Sequence, residues 1–213
     1  MNFEELGLCK EIISSINEKG YENPTEIQRI AIPHILMGRD LLGCAQTGTG
    51  KTGSFVMPLA EILNFGKSKS RMPRSLILAP TRELAMQVAE EFNFINKFLK
   101  LQMALLIGGV SFTEQDNKLA KGVDVLVATP GRLIDHIERG NVIIKDVKIL
   151  IIDEADRMLD MGFIPDIMKI NKLLPKIRQT LFFSATLSSE IRKIGKNLLI
   201  NPKEITISPY SST

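Results

Sequence analysis

The chain has 213 residues, 44% of them apolar and 24% charged, with a net charge of +3. That length supports a buried core without covalent staples, and the composition excludes a disordered or collagen-like chain. Cys9 and Cys44 are the only cysteines and His34 and His136 the only histidines, which excludes a disulfide scaffold and argues against a histidine metal centre. The thiols read as reduced, which implies a cytoplasmic protein. No apolar run reaches the length of a membrane span, and Met1-Asn2-Phe3-Glu4-Glu5 lacks the basic and apolar regions of a signal peptide. The mild positive charge permits a nucleic-acid partner without establishing one.

In chain order, two helices are predicted first, around Leu8–Lys19 and Thr25–Met37. Seven short apolar runs follow: Leu41–Ala45, Ser75–Leu78, Met103–Ile107, Val123–Ala128, Val147–Ile152, Thr180–Phe183 and Glu204–Ile207. They have the composition of strands buried on both faces. Helical patterns separate them over Thr52–Phe65, Arg82–Phe98, Thr113–Ala120, Gly131–Arg139, Ile164–Leu173 and Ser188–Leu199. This alternation predicts an α/β fold, a parallel sheet with helices on both faces. The segment Gly66–Arg74, with Lys67, Lys69, Arg71 and Arg74, reads as a solvated connector.

Two motifs carry chemistry. Ala45-Gln46-Thr47-Gly48-Thr49-Gly50-Lys51-Thr52 follows a strand and opens a helix, the context of a phosphate-binding loop. Lys51 then reaches terminal phosphates and Thr52 holds Mg²⁺, while backbone amides and the helix dipole face the anion. Ala45 replaces the glycine of the strict pattern. Asp153 and Glu154 close the strand Lys148–Ile152, at the strand end where open α/β sheets bind ligands. Asp153 suits a hard cation, and Glu154 suits orientation or deprotonation of water. The alternative is that both carboxylates merely cap the next helix.

Upstream, Gly20-Tyr21-Glu22-Asn23-Pro24-Thr25-Glu26-Ile27-Gln28 is by itself a turn and a helix capped by Thr25. Here the chain resembles the DEAD-box RNA helicases. This stretch is similar to their Q motif, with Phe3 as the isolated upstream aromatic, and Asp153-Glu154-Ala155-Asp156 is the family's namesake. Pro80-Thr81-Arg82-Glu83-Leu84-Ala85 resembles motif Ia, Gly108-Gly109 the GG motif, Thr129-Pro130-Gly131-Arg132 motif Ib and Ser184-Ala185-Thr186 motif III. The run Asp153–Phe163 and the short N-terminus look most like the bacterial RhlE-like subgroup. Gly53 stands where the family commonly has alanine.

The resemblance implies a RecA-like domain over 31–207, preceded by a helical Q-motif segment over 1–30 and followed by an interdomain linker at 208–213. It implies an ATP-dependent RNA helicase whose second RecA-like domain lies beyond this chain. Tyr21 would stack on adenine and Gln28 read its edge, Phe3, Ala45 and Gln46 would belong to the same cofactor site, Thr47–Thr52 would hold phosphates, and Asp153 would hold Mg²⁺ largely through water. Ser184 and Thr186 would couple nucleotide to RNA through Asp156. Pro80, Thr81, Arg82, Gly108, Gly109, Thr129, Pro130, Gly131 and Arg132 would line a groove for the RNA backbone without base specificity. For the arginines, surface ion pairs are the alternative, and for Ser184-Ala185-Thr186 a helix-capping turn. A GTPase reading fails: the Asn-Lys pairs at 96, 117 and 171 lead to Leu99, Ala120 and Leu174 instead of aspartate. A monomeric domain with no membrane partner is expected.

Overall fold

The computed structural model describes residues 1–209; the last four residues of the predicted linker lie outside the described residues. A short 3₁₀ turn at Phe3–Leu6 leads into α1 (Lys10–Glu18) and α2 (Glu26–Leu36). Then come β1 (Leu41–Cys44), α3 (Lys51–Leu63), β2 (Ser75–Leu78), α4 (Arg82–Ile95), β3 (Met103–Leu106) and α5 (Phe112–Lys121). The chain continues through β4 (Val125–Ala128), α6 (Pro130–Glu138), β5 (Ile149–Ile152), α7 (Ala155–Asp160) and α8 (Ile164–Leu173). It closes with β6 (Gln179–Ser184), α9 (Ser189–Leu198) and β7 (Lys203–Thr206). All seven predicted strands are present within a residue or two. The additional helix α7, which begins inside the acidic motif, is too short to show a helical period in sequence.

The strands form one sheet in the order β3-β4-β2-β5-β6-β1-β7, and every pairing is parallel. Side chains alternate across it. Leu41, Ile77, Val127, Ile149, Ile151, Leu181 and Phe183 join the core under α1–α4. Leu42, Leu76, Leu78, Leu126, Leu150, Ile152 and Phe182 join the core under α5–α9. Being covered on both faces explains why the strands read as continuous apolar runs.

The connector 66–74 is more than a solvated loop. Arg74 pairs with Asp124 at 2.8 Å and donates to the carbonyls of Leu63 and Phe65. Arg71 pairs with Asp116 and donates to the Asn141 carbonyl. Lys67 and Lys69 remain exposed.

Sheet order sets the functional edge. At the carboxyl ends the backbone ladder runs on past the strands: Ala45 N donates to Ser184 O, Asp153 N to Leu78 O, Ala79 N to Ala128 O and Thr129 N to Leu106 O. The segments after β3, β4 and β2 thus occupy one half of this edge, and those after β5, β6 and β1 the other.

Inside the sheet, β1 passes so close to the Phe183 ring that a Cβ on Gly43 would lie 2.7 Å from Cδ1. That ring is fully buried and packs on Phe55 at 5.3 Å between centroids. Gly43→Ala should therefore destabilise the fold by about 1–3 kcal/mol through overpacking, and Phe183→Leu in that background should recover part of the loss. Urea unfolding of the two variants is the check.

Candidate functional site

The loop after β1 and the turn after β5 meet around one lysine. Lys51 Nζ lies 2.9 Å from Asp153 Oδ1 and 2.9 Å from Glu154 Oε1, and all three residues are buried. Burial alone would lower the lysine pKa, but the two carboxylates outweigh it and the net shift is upward, so Lys51 is held as an ammonium. Burial is the largest influence on Asp153 and raises its pKa; Lys51 opposes that and Glu154 adds to it. One cation and two carboxylates leave the cluster one negative charge in excess when all are ionised.

This geometry bears on the helix-capping alternative for the acidic pair. Glu154 occupies the N-cap position of α7, yet its side chain makes no capping hydrogen bond. Its carboxylate turns to Lys51, and its backbone adopts φ 57°, ψ 48°. A left-handed non-glycine residue of this kind costs energy and recurs at functional sites. Asp153 Oδ1 receives the Glu154 N–H at 3.0 Å as well as the ammonium. Asp153 Oδ2 and Glu154 Oε2 make no hydrogen bond among the described residues.

A cleft of about 360 Å³ opens above the cluster, lined by Tyr21, Asn23, Thr25, Gln28, Thr47, Gly48, Gly50–Gly53, Leu84, Gln87, Val88, Glu91, Asp153 and Glu154. Gln28 lies in the first turn of α2 and lines the cleft. It forms a capping box with Thr25, its Oε1 accepting the Thr25 N–H at 3.0 Å. Its Nε2 donates to the Gly50 carbonyl at 3.1 Å, linking α2 to the phosphate-type loop. One amide proton and one carbonyl lone pair remain free, the donor–acceptor pair an adenine edge needs. Tyr21 is held by the Lys19 ammonium, which lies 5.2 Å from its ring and pairs with Glu91.

Other predicted cofactor residues fall elsewhere. Phe3 is 3% exposed and belongs to the core, and it does not line the cleft. Ala45 is buried at the strand end. Gln46 and Thr49 line a different depression on the far side of the loop, with Glu26 and Ile207.

Beside the cluster, Ser184 is fully buried at the end of β6, and its Oγ has no hydrogen-bond partner. Asp156 Oδ1, in the first turn of α7, is likewise buried and unpaired. Helix α9 is capped by Ser188, whose Oγ accepts the Ile191 N–H. The capping alternative for Ser184-Ala185-Thr186 therefore falls to the next serine, leaving Thr186 exposed.

On the other half of the edge, Gly108 and Gly109 are exposed between two arginines. A Cβ on Gly109, where φ is +80°, would lie 2.2 Å from Arg82 Nη1, and one on Gly108 would lie 4.0 Å from Arg132 Nη2. Neither arginine forms an ion pair among the described residues, so the surface-pair alternative does not apply. Thr81 caps α4 by accepting the Leu84 N–H; Thr129 precedes α6 without capping it. Gly131 is exposed, whereas Pro80 and Pro130 are buried and shape the turns.

No spacing or motif marks the residues that brace this face. Phe112 is clasped between Arg132 and Arg139, whose guanidinium carbons lie 3.9 and 3.6 Å from its ring centroid. Beneath it, Gln115 Nε2 donates to the Ile107 carbonyl at 2.9 Å, so its Oε1 accepts from His136 Nε2 at 2.6 Å. His136 Nδ1 then accepts from Asn141 Nδ2 at 3.0 Å. These partners need the neutral ring, and burial first, then Arg132, lowers its pKa from 6.5.

A sequence profile of the DEAD/DEAH box helicases matches residues 25–194. The chain belongs to that family. It is 46% identical over 212 residues to the ATP-dependent RNA helicase DeaD of Buchnera aphidicola subsp. Acyrthosiphon pisum, covering 99% of this chain and 35% of that protein. It is 42% identical to the ATP-dependent RNA helicase DeaD of Escherichia coli K12, covering 99% and 33%. The crystal structure of a DEAD box protein from the hyperthermophile Methanococcus jannaschii superposes with a TM-score of 0.91 at 40% identity, over 98% of this chain and 56% of that one. The fold is thus the RecA-like α/β domain of this family, and the chain spans about a third of the length of the curated relatives it matches.

The histidine network yields a pH dependence with a definite sign. His136 is bound as the neutral ring, so its contribution is complete above the unfolded value of 6.5. It declines as the pH falls below that value and levels off once the lower folded-state pKa is passed. Chemical denaturation from about pH 7 to about pH 5 should show His136→Gln losing less stability on acidification than the parent chain; an equal loss would refute the assignment.

Proposed function

We propose that this chain is the first motor domain of an ATP-dependent RNA helicase. Its cleft takes ATP, and the loops after β2, β3 and β4 take one side of an RNA backbone. The observation that carries this reading is the buried Lys51–Asp153–Glu154 cluster at the floor of a cleft that also presents Tyr21 and the free hydrogen-bonding groups of Gln28. Tyr21 stacks on adenine and Gln28 selects it over guanine by accepting and donating at its edge. Thr47–Thr52 wrap the phosphates with backbone amides. Lys51 shares its charge between the carboxylates and the terminal phosphate.

Thr52 and Asp153 are the residues that would hold Mg²⁺. The excess negative charge and the unengaged Asp153 Oδ2 fit a hard, oxygen-seeking cation. When bound, the ion neutralises phosphate charge. Glu154 presents Oε2 to the water that attacks the γ-phosphorus and takes its proton, while the bond from the γ-phosphorus to the β–γ bridging oxygen breaks and ADP leaves. Ser184 and Asp156 hold a hydroxyl donor and a carboxylate acceptor, both unpaired, on packed elements; their pairing in the closed state would transmit nucleotide occupancy towards the RNA face. Arg82 and Arg132 meet RNA phosphates, and Gly108 and Gly109 admit the sugar-phosphate chain.

No arginine lines the cleft among the described residues. An arginine finger contributes about 10³–10⁵ in rate, so this chain alone should bind nucleotide and hydrolyse it slowly. That supports a second RecA-like domain in the whole protein, with 31–207 as the first, 1–30 as its Q-motif segment and 208–213 leading into the linker. The run Asp153–Phe163 supports the RhlE-like subgroup, although the relatives compared above carry the name DeaD. A monomeric domain in a cytoplasmic enzyme completes the reading.

Two substitutions in the full-length enzyme separate binding from chemistry. Lys51→Ala should lose ATP affinity. Glu154→Gln should keep affinity within about threefold while turnover falls by about 10²-fold or more. Normal ATP hydrolysis by Glu154→Gln, measured with saturating RNA, would remove Glu154 from the mechanism.

Ser184→Ala tests the coupling. The hydroxyl is unpaired here, so its removal should change stability by no more than about 0.5 kcal/mol. RNA unwinding by the full-length enzyme should nevertheless fall several-fold at unchanged ATP affinity. A large loss of stability, or unchanged unwinding, would count against the role.

A further inference from the structure

The opposite end of the sheet carries a second recess, and its chemistry differs from the nucleotide cleft. It lies beside Asp40 and Thr180, at the amino ends of β1 and β6, and has a volume of about 510 Å³. Lys172, Lys176, Arg178 and Lys196 line it, with Asp40 as its one carboxylate. That carboxylate is already engaged: Oδ1 accepts the Thr180 N–H at 2.8 Å and Oδ2 the Ile200 N–H at 2.7 Å. The three lysines form no ion pair among the described residues. Arg178 is fixed by neutral partners alone, donating to Thr180 Oγ1, the Pro175 carbonyl and Asn171 Oδ1. Its charge is held in place without an ion pair; burial lowers its pKa, and the Asp40 carboxylate only partly opposes that.

A second observation coincides with the first. Ile200 lines the recess at 73% exposure, and Ile177, between two lining residues, is 92% exposed. Unpaired cations beside an exposed aliphatic side chain offer complementary contacts to carboxylates and to apolar groups. We propose that this recess docks an acidic segment of a partner protein that carries aliphatic residues among its carboxylates. Charge complementarity selects carboxylates, and the isoleucines select aliphatic side chains over bases. Among the described residues no aromatic ring lines the recess for base stacking, and its concave shape suits an inserted chain better than a lipid surface. Because the nucleotide cleft opens at the other end of the sheet, both can be filled at once.

The test is fluorescence anisotropy of the 213-residue chain with a fluorescein-labelled peptide of repeating Glu-Glu-Ile triplets. Poly-glutamate of equal length, a single-stranded poly(U) RNA and phosphatidylglycerol vesicles serve as the other arms. The triplet peptide should bind saturably and more tightly than poly-glutamate. Lys172→Glu with Lys176→Glu should weaken it about tenfold, and the corresponding glutamine pair about threefold. Saturating ADP should not displace it, and thermal melting should confirm that the variants fold. The proposal is overturned if the triplet peptide fails to bind or is displaced by ADP. It is equally overturned if poly-glutamate binds as well, if the folded glutamine pair binds like the parent, or if the substitutions weaken RNA or vesicle binding more than peptide binding.

Discussion

Lys51 is a positive charge buried between two carboxylates, and the arrangement of the site depends on it. Taking three ionised groups out of water is costly, and only their mutual attraction offsets that cost. The Asp153–Glu154 peptide must turn sharply to bring both carboxylates to one ammonium, and Glu154 accepts a left-handed backbone to do so. Removing Lys51 would leave two buried carboxylates together, an imbalance in the range of about 3–5 kcal/mol. The cluster is stable enough to hold its shape, yet the surplus negative charge and unengaged oxygens leave it open to a metal–phosphate ligand.

Strand order turns that local cluster into a device with two neighbouring faces. Placing β6 between β1 and β5 puts Ser184 beside both the phosphate-type loop and the acidic pair. Placing β2, β4 and β3 on the other side of β5 aligns the segments bearing Arg82, Arg132 and the paired glycines along the same edge. In the proposed reading, a shift at the Lys51 cluster passes to the proposed nucleic-acid face through α7 and the end of β6, where Asp156 and Ser184 carry unpaired polar atoms. Orphaned polar atoms are expensive in a settled core; among the described residues they are those on Ser184 and Asp156, in segments proposed to change partners, together with His34 Nδ1 and Arg132 Nη1.

Much of this was legible in the sequence because the informative signals were local. Apolar runs buried on both faces gave every strand, and loop, acid and Q-type motifs gave the cluster. What escaped was long-range or too short to have a period. Helix α7 spans little more than a turn. The Phe112, Gln115, His136 and Asn141 assembly joins separate helices and a loop, so no spacing announces it. Arg71 and Arg74 looked solvated because their partners Asp116 and Asp124 lie far along the chain. Phe3 has a family role by resemblance, but it is buried in the core and does not line the cleft. The acidic pair could equally have been helix caps until the structure turned their side chains towards Lys51.

The most direct test of the central interaction is a crystal structure of this chain with Mg²⁺ and a non-hydrolysable ATP analogue. The account predicts adenine between Tyr21 and Gln28, the Lys51 ammonium drawn onto the terminal phosphate, and Asp153 facing the ion. A nucleotide bound outside this cleft, or one bound within it while Lys51 stays paired to both carboxylates and away from the phosphates, would contradict the account.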